Sequence, residues 1–64
     1  MKRRDLVGHL REHGCVPVRE GGSHTVFTNV ANDQTAALPR HTEIKTPTVR
    51  AICQQLGIPI PRGR

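Results

Sequence analysis

Apolar positions along this chain fall into two helical stripes separated by three short alternating runs. Leu6, Val7 and Leu10 recur at i, i+1 and i+4, while Lys2, Arg3, Arg4, Arg11 and Glu12 cover the remaining faces. This spacing predicts a first helix over residues 3–13, closed by Gly14, where a left-handed residue is wanted. Gly8 weakens that helix by about 1 kcal/mol relative to alanine. Val49, Ile52, Cys53 and Leu56 fall at i, i+3, i+4 and i+7 and predict a second helix. Thr46 is expected to cap it, Pro47 to take its first position and Gly57 to end it.

Between the helices the period changes to two. Cys15-Val16-Pro17-Val18-Arg19-Glu20 reads as a strand, and Pro17, which has no amide hydrogen for a ladder, makes it an edge strand or the irregular start of one. Gly21-Gly22 supplies a turn. Ser23 to Thr28 is a second strand, Asn32-Asp33 carries turn chemistry, and Gln34 to Leu38 is a third strand ended by Pro39. The order α-β-β-β-α specifies an α+β fold: a three-stranded antiparallel sheet with both helices on one face, the layout of a double-stranded-RNA-binding domain in small form. Leu6, Leu10, Phe27, Val49, Ile52 and Leu56 are expected to be buried together. With Phe27 inside, Thr25 shares its face and His24 takes the opposite one, because strand side chains alternate. Residues 1–58 are expected to form one domain, and the prolines and glycine of residues 59–64 predict an extended tail.

Sixty-four residues suffice for one small domain. Its limited core leaves it marginally stable and open to stabilisation by a partner. Ten Lys and Arg against five Asp and Glu give a net charge of +5, which favours polyanions. The longest apolar runs, Ala36-Ala37-Leu38 and Ala51-Ile52-Cys53, are far short of the roughly 20 residues a membrane span needs. No apolar stretch follows Met1-Lys2-Arg3-Arg4 to make a signal peptide, so a cytoplasmic location is expected. Cys15 and Cys53 read as two free, partly buried thiols rather than a disulfide framework. Phe27 is the only aromatic residue. That disfavours modules that stack bases on exposed Phe or Tyr, and directs any RNA contact to phosphates, sugars and shape.

Gly22-Ser23-His24 is the first candidate for chemistry. The glycine pair minimises backbone bulk where a phosphate could approach, and histidine exchanges a proton near neutrality. Ribonucleolytic cleavage needs a base for the 2′-hydroxyl, an acid for the leaving oxygen and positive charge for the phosphorane. Arg19, Arg40 and Lys45 are candidates for that charge. Leu38-Pro39-Arg40-His41 comes second: Pro39 ends a strand and throws Arg40 and His41 into a loop that Ile44 anchors. His9 and His13 have a spacing that can ligate a metal, but four ligands are wanted and only Cys15 is near. They read as surface residues, and no metal or other cofactor is expected.

Two segments together resemble the HicA family of bacterial toxin–antitoxin systems, also described as YcfA-like proteins. Arg19-Glu20-Gly21-Gly22-Ser23-His24-Thr25-Val26-Phe27 is similar to the family's G-S-H-x-x-F/Y strand. Leu38-Pro39-Arg40-His41, then Glu43-Ile44-Lys45 and Thr48-Val49-Arg50-Ala51-Ile52, resemble its P-R-H, E-I/L-K and T-x-R-x-I stretch, so the resemblance covers residues 2–58. It implies the α-β-β-β-α fold, metal-independent cleavage of messenger RNA that inhibits translation, and neutralisation by a HicB-type antitoxin covering the active site. His24 corresponds to the family's catalytic histidine and Gly22 to the glycine before the serine. Gly22, Ser23, Arg19, Arg40, His41 and Lys45 are then expected to bind or support RNA. Two features depart from the family: Thr25 stands where many relatives have a second histidine, and a proline-containing tail stands where many continue into an acidic segment. A non-catalytic RNA-binding module of the same fold is the alternative, with a chain that serves only to be bound by a partner behind it.

Overall fold

The computed structural model describes residues 1–61. Helix α1 spans Arg3–Glu12, strands β1, β2 and β3 span Cys15–Glu20, His24–Asn29 and Thr35–Pro39, and helix α2 spans Thr46–Leu56. The strands form one antiparallel sheet in the order β1-β2-β3. Both helices cover the same face, where Leu6, Leu10, Cys15, Phe27, Ala36, Leu38, Ile44, Val49, Ile52, Cys53 and Leu56 make the core. All six residues expected to be buried together are in that set. Truncating one of its leucines to alanine would cost about 2–5 kcal/mol, a large fraction of the stability of a domain this small.

Each helix ends where the sequence supplies a left-handed residue. Gly14 has φ 79° and Gly57 φ 69°. At Gly57 the backbone closes twice, Gly57 N–H donating to Gln54 O at 3.1 Å and Ile58 N–H to Cys53 O at 3.0 Å. A side chain at Gly57 would also meet Asn32 Nδ2 at 2.8 Å. The start of α2 differs from the expectation. Lys45, not Thr46, is the cap: its backbone is extended, and its carbonyl accepts from Val49 N–H at 3.0 Å. Thr46 therefore lies inside the first turn, its hydroxyl makes no capping bond, and Pro47 follows it.

Strands β2 and β3 both run one residue later than the pattern suggested. Gly21 N–H donates to His24 O at 2.8 Å, so Gly22 and Ser23 form the tip of the β1–β2 turn and the strand opens at His24. Pro39 stays in β3 because the ladder does not need its missing amide. Its carbonyl points away from β2, while the next residue, Arg40, donates its N–H to Ser23 O at 3.2 Å.

β1 is an edge strand, as Pro17 requires, and it is bulged. Pro17 pairs with Phe27 but Arg19 pairs with Val26, leaving Val18 unpaired. The extra residue inverts the alternation of everything after it. Arg19 is thereby turned to the open face with Val26, and Glu20 to the helix face with Thr25.

The β2–β3 turn is tied to the end of α2. Asn29 Oδ1 accepts from Ala31 N–H at 3.0 Å, and Asn29 Nδ2 and Asn32 Nδ2 both donate to Leu56 O, at 2.8 and 3.1 Å. Two side chains thus satisfy a last-turn carbonyl that has no intrahelical partner. In the expected tail, Pro59 O accepts from His9 Nε2 at 2.7 Å; residues 62–64 of that tail lie outside the described residues.

Candidate active site

His24 is exposed, and Thr25 and Phe27 are 2% exposed on the other side of β2. The register set by a buried Phe27 therefore turns His24 outward, as expected. Its cross-strand partner on β3 is Pro39. Because Pro39 O faces outward, this is a non-hydrogen-bonded pair, the kind in which side chains approach most closely. On β1, Gly21 stands opposite His24, so Arg19, two residues earlier, is its diagonal neighbour on the same face. A Cβ added at Gly22 would meet nothing within 4 Å, so the turn beside His24 is itself uncrowded. The open face thus brings together His24, an exposed arginine and a turn with little bulk.

Arg40 is engaged elsewhere. It follows Pro39 on the helix side of the sheet and pairs with Glu20. Thr25 Oγ1 donates to the same Glu20 oxygen at 3.3 Å and accepts from Arg3 Nη2 at 3.1 Å, while Arg3 Nε donates to Pro39 O at 3.0 Å. Arg3, Glu20, Thr25 and Arg40 line a pocket of about 290 Å³. The hydrogen bond from Arg40 is the main cause that holds the Glu20 carboxyl below the usual carboxylate range, with the charges of Arg40 and Arg3 and the Thr25 hydroxyl acting the same way. Both partners are exposed, so water screens the pair and it adds little to stability.

His41 and Lys45 sit on the loop after β3, where they share a pocket of about 440 Å³ with Pro39, Glu43, Ile44 and Thr48. Ile44, 2% exposed, anchors this loop in the core. The first residues of the chain hold it from the other side. Arg3 N–H donates to Thr42 O and Ile44 N–H to Met1 O, both at 2.7 Å, and the Met1 amine lies 3.5 Å from Glu43. Pro39 thus has His24 across the ladder and His41 and Lys45 in the pocket it lines.

Sequence pattern alone did not single out Lys2, Arg3 and Arg4 for this region, since charge at a helix start reads as a solvated face. With Arg40 and Thr42 they line a pocket of about 320 Å³ beside the end of β3. No local signal could have found it, because it depends on residues 1–3 pairing with residues 42–44. The rings of His9 and His13 lie with centroids 4.6 Å apart, tilted 55° to one another. Among the described residues, no three His, Cys, Asp or Glu side chains gather to hold a metal. Nor, among them, is any helix long and apolar enough to cross a membrane.

No curated protein and no solved structure matches the chain. A family profile described as the HicA toxin of bacterial toxin–antitoxin systems matches residues 3–58. That span contains both helices, the whole sheet, the Gly22-Ser23-His24 turn and the Pro39-Arg40-His41 loop. The chain therefore belongs to the HicA toxin family of bacterial toxin–antitoxin systems.

Proposed function

We propose that this toxin is an endoribonuclease that cleaves messenger RNA without a metal, and that His24 is its catalytic residue. The observation that carries the reading is the setting of His24 in a HicA chain: exposed at the start of β2, beside an open glycine turn and diagonal to Arg19. In the reaction the 2′-oxygen of the substrate attacks the adjacent phosphorus and the bond to the 5′-oxygen breaks. The first oxygen loses a proton and the second gains one. His24 carries one of these two transfers. Arg19 supplies positive charge to the phosphorane from the same face, and His41 and Lys45 support the strand of RNA beyond Pro39. The products are a 2′,3′-cyclic phosphate and a 5′-hydroxyl.

The partner in this reading is a HicB-type antitoxin that covers the open face at His24. An acidic surface on that protein would meet the cations RNA needs and so both steer assembly and exclude substrate. Expression of the chain without an antitoxin gene should arrest growth, and purified protein should leave cyclic-phosphate ends on RNA in the presence of a chelator. Growth without arrest, together with intact RNA, would leave a binding module of the same fold.

A further inference from the structure

We infer that the cup formed by Lys2, Arg3, Arg4, Arg40 and Thr42 seats a backbone phosphate of the RNA next to the one that reacts at His24. The inference rests on the proposed ribonuclease reading and adds a second anchoring point to it. Four cationic side chains line a space of about 320 Å³. Of the acids around them, Glu20 is engaged by Arg40 and Thr25 and Glu43 by the Met1 amine, while the exposed Asp5 in the first turn of α1 pairs with none of the described cations. Among the described residues, Lys2, Arg3 and Arg4 form no ion pair. Arg40 is already joined to Glu20, so the charges of the cup that an anion would neutralise are those of Lys2, Arg3 and Arg4.

The position of the cup favours a phosphodiester chain. Arg3 bonds the carbonyl of Pro39, the cross-strand partner of His24, and Arg40 follows Pro39, so the cup lies at the end of β3, around the sheet edge from the open face that carries His24. A strand with its reacting phosphate at His24 that passes around the end of β3 brings a neighbouring phosphate to Lys2, Arg3 and Arg4. The lining favours RNA over a protein as well. It holds no aliphatic or aromatic side chain, whereas protein interfaces are built around an apolar centre. The exposed apolar residues Val16 and Val18 lie instead on β1, across the sheet.

Lys2 and Arg4 are the residues to test, because both are exposed and their side chains make no hydrogen bond among the described residues. Each is changed to Gln in the full chain carrying His24→Ala, so that a labelled single-stranded RNA of mixed sequence stays intact. Arg11→Gln, which removes the same charge from the far end of α1, is the control. Each cup variant should weaken binding about threefold to tenfold at low salt and flatten the log–log salt slope by about 0.7, the loss of one phosphate contact. Arg11→Gln should change affinity less than about twofold and leave the slope alone. Cup variants that match Arg11→Gln while RNA still binds would overturn the inference and leave the proposed function standing. Wild-type chain that binds no RNA, or His24→Ala that still cleaves the probe, would strike the proposed function itself. A polyglutamate peptide of equal charge that binds the cup as tightly as the RNA would assign it to an acidic protein instead.

Discussion

His24 and Thr25 are neighbours in the chain and face opposite sides of the sheet, one exposed and one 2% exposed between Arg3 and Glu20. A side chain at position 25 therefore belongs to the helix-side pocket and cannot reach a phosphate held at His24. The histidine that many members of the resembled family carry there would point into the same pocket, so its replacement by threonine takes no proton-transfer group from the open face. Thr25→Val keeps the shape and removes the hydroxyl that links Arg3 to Glu20. It should lower stability by about 1–2 kcal/mol in thermal or urea denaturation, while RNA cleavage below the melting range stays within a few-fold of wild type.

Arg19 shares the open face with His24 only because Val18 is the extra residue of a bulge. Arg19→Gln should cut the cleavage rate about tenfold to a hundredfold if its charge meets the phosphorane. Stability should be unchanged within about 0.5 kcal/mol, as for other exposed substitutions. Arg19→Lys should recover part of the rate, since a point charge replaces a forked donor. Single-turnover cleavage kinetics on the three proteins make the comparison.

Alternation in the sequence was enough to find three strands and to turn Phe27 inward and His24 outward, because a buried aromatic fixes the face of its neighbours. Pro17 marked the strand as an edge or irregular, but the place of the bulge was not legible: strict alternation from Pro17 puts Arg19 on the helix side, and no residue at positions 18–20 announces the extra one. Arg40 illustrates the same limit. It stands next to Pro39 in the motif, yet one step along the strand carries it to the other face and into a pair with Glu20. The basic residues at the start of α1 looked like a solvated helix face, and only the pairing of residues 1–3 with residues 42–44 gathers them at the end of β3. The cap of α2 was misplaced by one residue because Thr46-Pro47 carries two start signals, and Pro fits the second position as well as the first.

Asn29 joins the β2–β3 turn to α2 through a buried bond to Leu56 O, and a part-buried bond from Ala31 N–H ties it into the turn. Asn29→Ala leaves these groups short of partners in a site 4% exposed. The expected loss is about 1–3 kcal/mol, with a smaller loss for Asn32→Ala, whose bond to Leu56 O is one of two. Urea denaturation of both variants and the double variant measures it. The double variant should lose more than the sum, because Leu56 O then has no side-chain partner.

Cys15 and Cys53 are free and buried, and burial pushes both thiols above their ordinary pKa; the nearness of Cys15 adds to the effect on Cys53. A folded-state pKa above the unfolded value contributes stability that is fully present below the unfolded pKa. That stability is lost as pH rises through the folded one. Stability should therefore fall as pH is raised past about 8.5, the ordinary thiol value. Cys15→Ala/Cys53→Ala should lose that part of the alkaline decline, though at a cost in packing. At neutral pH alkylation of the wild-type thiols should be slow and should track unfolding, since the reactive thiolate is scarce and enclosed.

The central claim is that His24 transfers a proton during RNA cleavage, and the cleavage rate of purified His24→Ala tests it most directly. The rate should fall about 10²–10⁴-fold. An exposed strand histidine has little packing to lose, so stability should move by no more than about 1 kcal/mol. RNA affinity should persist because the phosphate contacts come from Lys and Arg. His13→Ala, exposed at the end of α1, is the control and should cleave at the wild-type rate. A folded His24→Ala that cleaves RNA as fast as wild type would contradict the assignment and leave the chain as a toxin whose chemistry lies elsewhere.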